Sequence, residues 1–393
     1  MPFVIYIFSL CAFALGLTEF LVIGLASVIS DDFQIPVDTV GLTITAYAIG
    51  ATIGAPFLTA ITTKWSRKGV MLTTMIIFSL GSLAATLSNN VEMMIVSRFV
   101  AGLAHGLFLA VAASVATELV PPEKSGAAVA CVFAGLTLAL ALGVPVGSYL
   151  GSVVSWKLSF SLVTIFGLVG LIGLIFLMPA NTGNKSNIIS HPIKSLCYIF
   201  NPLLLLGTFV TVLGYTGAFA LYAYISPFLY QVTNVSIQTA SYMMLFYGIF
   251  AAIGNIIGGK VTDILGADRS VTIILFLLSF DLMLMYLFSH SMLVMGILIA
   301  IIGAISYAAV PAMQARVINI AKYYVPEAIP VASGLNIAGF NSGIALGSVV
   351  GGIIISHASI TYLTLGGVVI SLAGVCAMIL TPKKTKILVH QDE

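Results

Sequence analysis

Three residues in apolar stretches of the sequence carry side chains that can exchange protons or hold an ion: Glu19, Arg98 and His105. Glu19 lies about 16 residues after Phe3, which is roughly 24 Å along a helix that rises 1.5 Å per residue. A charged group at that depth of a bilayer costs roughly 2.5–3.5 kcal/mol on insertion scales. That cost favours a group that binds and releases a proton over a structural carboxylate hydrogen-bonded between helices.

Arg98 and His105 share one face of a predicted helix, at positions i and i+7, with Gly102 between them at i+4. Arginine stays charged, so within a membrane it needs an anion or water. Its nearest plausible partner is Glu19, although a static clamp between helices fits equally well. His105 either shuttles protons or serves only as a hydrogen-bonding group. Together the three residues form a predicted proton-coupling site.

The composition places these residues in a membrane. The chain is 60% hydrophobic and 7% charged with a mean hydropathy of +1.15, whereas soluble domains carry about 25% charged residues. A net charge of +2 provides no basic field for nucleic acid. We therefore expect a protein of the lipid bilayer that binds no nucleic acid. We also expect it to be a monomer. The cysteines are far apart in or beside apolar segments and are interpreted as small core residues, not as a disulfide or metal framework: Cys11, Cys131, Cys197 and Cys376.

Twelve segments are long and apolar enough to cross a bilayer core of about 30 Å, which takes about 20 residues. They must be helices, because lipid offers no partner to an exposed backbone. The first is a retained helix and not a cleaved signal peptide, since it has no basic start and carries Glu19. The segments lie near residues 3–30, 38–62, 70–88, 92–118, 126–150, 157–179, 200–229, 236–259, 271–288, 292–315, 328–355 and 361–381.

The charges between the segments predict the orientation. Basic residues follow the even-numbered segments, whereas the connections after odd-numbered segments contain acids and a single base, Lys157. By the positive-inside rule, both termini are cytoplasmic in a multi-pass protein of the plasma (inner) membrane. The even-numbered connections hold Lys64, Arg67, Lys68, Lys124, Lys185, Lys194, Lys260, Arg269, Arg316 and Lys322, and the odd-numbered ones hold Asp31, Asp32, Asp38 and Glu92.

The second half of the sequence repeats the first at an offset of 200 residues. That period contains six segments, an even number, so the halves share one orientation and are related by an axis along the membrane normal. We predict an all-α membrane protein of two six-helix bundles, at 1–180 and 199–382, with a cytoplasmic linker at 181–198 and a tail at 383–393. The repeat is clearest in Gly143, Gly147 and Gly151 of the fifth segment and Gly343, Gly347 and Gly351 of the eleventh.

Four motifs resemble the major facilitator superfamily, and in particular its twelve-span drug/proton antiporter branch, near the sugar-efflux and arabinose-efflux-permease-like transporters. They are GLTEFLVIGL at 16–25, RFVAGLAHG at 98–106, GVPVG at 143–147 and GKVTDILG at 259–266. The loop TAITTKWSRK at 59–68 departs from the family pattern, with Thr63 in place of the usual Asp and Ser66 in place of Gly, but it keeps Arg67 and Lys68.

The resemblance implies the major facilitator fold and export of a small molecule, such as a drug or sugar, in exchange for protons, with no cofactor. It implies an antiporter motif at Gly143, Pro145 and Gly147. It also implies gating residues at the cytoplasmic loops, namely Gly259, Asp263, Gly266, Arg67 and Lys68. In the family arrangement, helices one, four, seven and ten surround the substrate cavity.

Two polar and aromatic stripes fit such a cavity. Tyr215, Phe219 and Tyr222 follow the spacing i, i+4, i+7, and a stripe from Tyr307 to Gln314 repeats it. Aromatic walls with few polar groups suit amphipathic ligands, although such stripes also occur in ordinary cores. Asp281 has no evident role. The predicted cavity residues are Tyr215, Phe219, Tyr222, Tyr307, Gln314, Asn336 and Asn341.

Two other functions compete with proton-coupled export. Uptake by proton symport would use the same fold, but the fifth-helix motif favours antiport. An intramembrane enzyme would need reactive groups, and the sequence contains no HExxH, nucleotide-binding glycine loop or serine nucleophile motif. We therefore predict a transporter and no enzymatic activity.

Overall fold

The computed structural model of the chain describes residues 1–59, 62, 65–121, 125–179, 197–325 and 329–380. Within these residues, twelve helices are long and apolar enough to cross a membrane and no β-strand occurs, as predicted. The first six are α1 (Phe3–Phe33), α2 (Val37–Ile53, continued by Gly54–Leu58), α3 (Arg67–Thr86), α4 (Val91–Glu118), α5 (Ser125–Leu138, Ala139–Gly143 and Val144–Val153) and α6 (Trp156–Leu177).

The second six helices follow the same order. They are α7 (Pro202–Tyr222, continued by Ile225–Gln231), α8 (Ile237–Leu265), α9 (Ala267–Leu287), α10 (Met292–Tyr324), α11 (Ile329–His357) and α12 (Leu363–Leu380), the last preceded by a short 3₁₀ turn at Ile360–Tyr362.

Helices α2 and α5 each contain a π turn, at Gly54–Leu58 and Ala139–Gly143. The turn in α5 ends two residues before Pro145. Proline cannot donate the backbone hydrogen bond that an α-helix requires, and a π turn is one local adjustment that lets the helix continue. The π turn of α5 thus accommodates Pro145.

The two halves repeat one packing scheme. In the first half α1 packs on α5 and α6, α2 on α4, and α3 on α4 and α6, while in the second α7 packs on α11 and α12, α8 on α10, and α9 on α10 and α12. The predicted pair of six-helix bundles, related by a pseudo-two-fold axis along the membrane normal, is confirmed. The repeated glycines have matching places: Gly143, Gly147 and Gly151 face Leu17, Leu21 and Leu25 of α1, and Gly343 and Gly347 face Tyr215 and Phe219 of α7.

Glycine also brings α2 against α4 and α8 against α10 at equivalent levels. A Cβ atom on Gly102 would collide with the carbonyl oxygen of Tyr47, and one on Gly303 would press on the carbonyl oxygen of Tyr247. Small residues allow this close backbone approach between membrane helices. Tyr47 and Tyr247 are therefore structural counterparts, separated by the same 200 residues as the glycine stripes.

The helices extend into regions that the sequence interpretation assigned to connections. Lys260 lies in α8, Arg269 in α9, and Arg316 and Lys322 in α10. Only Gly266 separates α8 from α9, with a φ angle of 81° that favours glycine. Residues 181–196 of the predicted linker, the tail at 383–393, and Lys64, Lys124, Lys185 and Lys194 lie outside the described residues.

The halves meet through α2 with α11 and α5 with α8. We call the end of the molecule that carries the connections after odd-numbered helices the odd-loop end. There the Ser348 hydroxyl donates to the Gly41 carbonyl oxygen at 2.8 Å, and the Tyr224 hydroxyl donates to the Ser348 carbonyl oxygen at 2.8 Å. Tyr224 also reaches Gly41 and Gly352. The halves are thus in close contact at the odd-loop end.

We expect Gly41→Ala to separate the halves at this end, because the added methyl group would collide with the Tyr224 hydroxyl. Spin labels on cysteines at Asn89 and Ser356, in a background without native cysteines, would report the separation as a longer distance between labels. Gly296→Ala is the matched control, since its Cβ would lie 3.6 Å from Met243 Cε in ordinary contact. An unchanged distance distribution in Gly41→Ala would show that this contact does not hold the halves together.

Candidate functional site

Glu19 lies near the middle of α1 and is only 3% exposed. Its Oε2 atom is 4.0 Å from His105 Nε2. Its Oε1 atom has no hydrogen-bond partner in the described part of the chain. A buried polar atom without a partner is costly and is often explained by a functional role. The carboxyl group is therefore placed to receive a proton or a ligand group.

Arg98 does not pair with the Glu19 carboxylate in this structure. Its guanidinium donates to the backbone carbonyl oxygens of Thr18 at 2.5 Å, Thr43 at 3.0 Å and Glu19 at 3.4 Å. Its Cζ atom lies 4.6 Å from the Tyr47 ring centroid. The planar fork of arginine can engage several oxygens at once. Arg98, at 1% exposure, thus clamps the backbones of α1 and α2, which corrects the expected ion pair in favour of the clamp.

Tyr47 completes this group, and the sequence interpretation missed it. Its hydroxyl donates to the Leu15 carbonyl oxygen at 3.1 Å and lies 2.7 Å from His105 Nδ1. Tyrosine in an apolar segment looks like a core residue, so its type alone gave no signal. The spacing of 200 residues between Tyr47 and Tyr247, shared with the glycine stripes, could have revealed it.

The predicted aromatic residues of the second half form one packed cluster. Tyr215 contacts Phe340 with ring centroids 4.3 Å apart, and Phe219 contacts Tyr222 at 5.3 Å. Tyr222 stacks on Tyr247 at 4.1 Å. Phe340 and Tyr247 were not singled out in the sequence, but the structure places them among the predicted rings. Because the rings pack directly against one another, a ligand can enter this cluster only if the side chains separate.

The aromatic cluster and the Glu19 group face each other across the two halves. Phe20 of α1 lies beside Phe219 of α7, with ring centroids 6.5 Å apart. Tyr307 of α10 packs edge-on to Tyr247, with ring centroids 6.4 Å apart. The helix that carries Glu19 therefore meets the aromatic cluster of the second half through Phe20.

The predicted amide residues are divided between two environments. Thr211 donates to Asn336 Oδ1 at 2.7 Å, and Asn336 Nδ2 donates to Gln314 Oε1 at 2.6 Å, so α7, α11 and α10 are joined by one polar chain. Asn341 instead donates to the Ile337 carbonyl oxygen of its own helix at 3.0 Å. Asn336 and Gln314 form a polar cluster, whereas Asn341 does not join it through its amide nitrogen.

Of the predicted gating residues, Asp263 and Lys68 differ in their contacts. Asp263 is exposed in the last turn of α8 and forms no hydrogen bond or ion pair with the residues that the structure describes. Asp268, not Asp263, pairs with a base, accepting from buried Arg316 Nε at 3.2 Å. Lys68 donates to the carbonyl oxygens of Ile175 and Met178 at 2.8 and 2.7 Å, and so caps α6.

Asp281 in α9 is the other buried carboxyl group of the membrane region that the structure describes, at 3% exposure. Its Oδ2 atom has no hydrogen-bond partner among the described residues. It shares a helix face with Ile274 and Leu278, which line a small cavity with Tyr215 and Ser306. The helix that carries Asp281 packs on α7, α8, α10 and α12 of its own half, whereas the helix that carries Glu19 packs mainly on α2, α5 and α6.

Residues 8–321 and 204–392 match the model of the Major Facilitator Superfamily. The chain belongs to this superfamily. It is 36% identical over 349 residues to the uncharacterized MFS-type transporter YtbD of Bacillus subtilis, covering 88% of this chain and 87% of that one. It is 26% identical to a probable sugar efflux transporter of Pasteurella multocida, with 96% and 91% of the two chains covered. The major facilitator fold is also that of a D-xylose-proton symporter, which superposes with a TM-score of 0.80 at 12% identity, over 98% of each chain.

Membership in the Major Facilitator Superfamily makes the chain a multi-pass membrane transporter. The superfamily model spans both halves of the chain. The Glu19 group therefore lies among α1, α2 and α4 of the first bundle, and Phe20, next to Glu19, contacts Phe219 of the second.

Proposed function

We propose that this chain exports a small molecule, such as a sugar or a drug, in exchange for inward-moving protons by alternating access. The observation that carries the proposal is Glu19, a carboxyl group buried in the first half, next to the contact of Phe20 with Phe219 of the second, with one oxygen unpartnered among the described residues. When protonated it is neutral and inexpensive to keep in an apolar centre, and when ionised it needs water or a ligand donor. Exchange requires a group with those two states.

The groups opposite Glu19 suit a ligand that has both hydroxyl groups and apolar faces. Tyr222, Tyr247 and Tyr307 provide ring faces with hydroxyl groups, and Asn336 and Gln314 provide amides. Ligand sites typically combine such apolar walls with a few polar groups. A relative named as a probable sugar efflux transporter supports a sugar as the first substrate class to test.

The proposal includes the orientation of the chain in the membrane and the energy source of transport. The distribution of basic residues supports cytoplasmic termini in the plasma membrane. The proton gradient supplies the energy without a cofactor, and each monomer forms its own cavity from its two halves. Export is favoured over symport by the resemblance of GVPVG at 143–147 to the antiporter motif.

Oriented proteoliposomes preloaded with labelled sugars test this function. An imposed pH gradient, acidic on the odd-loop side, is expected to drive the labelled sugar out of the vesicles against the concentration gradient of the sugar. A protonophore is expected to stop this export. Recovery of chemically unchanged label distinguishes transport from enzymatic conversion. Accumulation of sugar inside under the same gradient would instead establish proton symport and overturn the proposal of export.

A further inference from the structure

The Tyr47 hydroxyl has one proton and two polar neighbours. Leu15 O, at 3.1 Å, is a backbone carbonyl oxygen and can only accept a hydrogen bond. His105 Nδ1, at 2.7 Å, either donates or accepts, depending on where the imidazole carries its proton. Both contacts of Tyr47 are satisfied together only when its hydroxyl donates to Leu15 and accepts from an Nδ1–H group of His105.

This arrangement determines what His105 presents to Glu19. A neutral imidazole with its proton on Nδ1 has an unprotonated Nε2. Nε2 is the ring atom that faces Glu19 Oε2, at 4.0 Å. An acceptor therefore faces the carboxyl group, which is the geometry that receives a proton from a protonated acid. The hydrogen bond on the far side of a histidine commonly sets the tautomer in this way.

We propose that Tyr47 is a positioning residue that holds His105 in the Nδ1–H tautomer, so that Glu19 and His105 share one transported proton. The proposal rests on the proposed function, in which Glu19 carries that proton. In the transfer the O–H bond at Glu19 Oε2 breaks and an N–H bond at His105 Nε2 forms, leaving a carboxylate and an imidazolium. No other reactant is needed, and the reverse step restores both neutral groups.

The transfer requires a small movement of the side chains. The 4.0 Å separation of Oε2 and Nε2 exceeds a hydrogen-bond distance of about 3 Å, so the atoms must approach by about 1 Å. A movement of α1, which carries Glu19, relative to α4, which carries His105, would supply this approach. Proton exchange between Glu19 and His105 would then depend on the conformation of the transporter.

The charges around His105 keep the imidazolium short-lived. Arg98, on the same helix and above the Tyr47 ring, repels a second positive charge. Glu19 from α1 and Tyr47 from α2 face the imidazole directly, and the described part of α5 has no acidic or basic residue. The bases of α3, Arg67 and Lys68, lie in its first turn. Repulsion by Arg98 therefore returns the proton to Glu19 or releases it to the cavity.

The second half of the chain retains the tyrosine without the titratable partners. Tyr247 is the counterpart of Tyr47, and Ser306, near Tyr247, occupies the place of His105. Leu17 and Tyr215 face equivalent glycines, so Gly217 is the counterpart of Glu19. The fold is therefore built without an acid and a histidine at these positions, which supports a functional role for the pair in the first half.

Nitrogen NMR of the full chain in lipid, labelled with ¹⁵N-histidine, measures the tautomer directly. The five histidines give few signals, and the one missing in His105→Gln is that of His105. We expect a protonated Nδ1 and an unprotonated Nε2, with a shift towards Nε2–H in Tyr47→Phe, which keeps the ring over Arg98. Tyr149→Phe, at a position 46% exposed, is the control. An Nε2–H signal in the wild type, or no change in Tyr47→Phe, would overturn the proposal.

Flux measurements distinguish a failure of this proposal from a failure of the proposed function. General acid–base groups contribute about 10²–10⁴-fold to proton transfer. Because Tyr47 acts only indirectly, through His105, we expect Tyr47→Phe to have a smaller effect and to slow proton-driven flux by about tenfold. Counterflow without a gradient should be retained. Normal driven flux in Tyr47→Phe, with Glu19→Gln inactive, would refute the role of Tyr47 alone. Uphill transport by Glu19→Gln would refute Glu19 as the proton carrier, whatever tautomer the NMR shows.

Discussion

Glu19→Gln is expected to reduce proton-driven transport against a gradient to background, while counterflow of labelled substrate continues. Glutamine keeps the size and hydrogen bonding of a protonated carboxyl group but cannot ionise. The variant would thus be fixed in the neutral state, and protons could no longer drive the cycle. Flux in proteoliposomes with and without an imposed pH gradient measures both properties in the same preparation.

Asp281→Asn is the matched control, because it also removes a buried membrane carboxyl group. Asp281 lies in α9, apart from the group formed by Glu19, His105 and Tyr47. We expect this variant to retain coupled transport. If Glu19→Gln still concentrates substrate and Asp281→Asn does not, then Glu19 is structural and Asp281 carries the proton.

Arg98→Lys is expected to lower stability strongly, even though it preserves the positive charge. The guanidinium binds backbone carbonyl oxygens of both α1 and α2, which a single ammonium group cannot reach together. Hydrogen bonds to charged groups contribute about 1.5–3 kcal/mol each, so loss of one or two costs about 1.5–6 kcal/mol. Thermal unfolding in detergent measures the change, and Arg98→Ala should be at least as damaging.

Arg269→Lys provides the comparison, since Arg269 is exposed near the start of α9 and should tolerate the change. The pair of lysine variants separates the two interpretations of Arg98. If charge near Glu19 were its contribution, then Arg98→Lys would keep both stability and coupling. Wild-type stability in Arg98→Lys would therefore rule out the backbone clamp as the main role of Arg98.

The spans and the repeat could be predicted because lipid leaves the chain few alternatives. About 20 apolar residues are needed for each crossing, and the glycine stripes had to face equivalent neighbours. Helix ends were harder to predict. Arg316 and Lys322 were assigned to a connection because they are charged, yet α10 continues through both. The guanidinium of Arg316 donates hydrogen bonds to Asp268 and to the Gly207 carbonyl oxygen.

The titratable residues of the site could be predicted from the sequence. The hydrogen bonds of the site could not. Glu19 and His105 stood out because charge and imidazole are rare in apolar segments, and the structure places them 4.0 Å apart. The partners of Arg98 are backbone carbonyl oxygens, which every residue has and no sequence pattern marks. Tyr47 could not be identified from the sequence either, because only the structure shows that its hydroxyl contacts His105.

The correspondence of Tyr47 with Tyr247 has a consequence for how such a chain can diverge. The two halves share the glycines that set helix spacing, but the first has Glu19 and His105 where the second has Gly217 and Ser306. Under the proposed function, substitutions in the first half would therefore alter energy coupling, whereas substitutions in α7, α8, α10 and α11 would change the cargo and leave the driving ion unchanged.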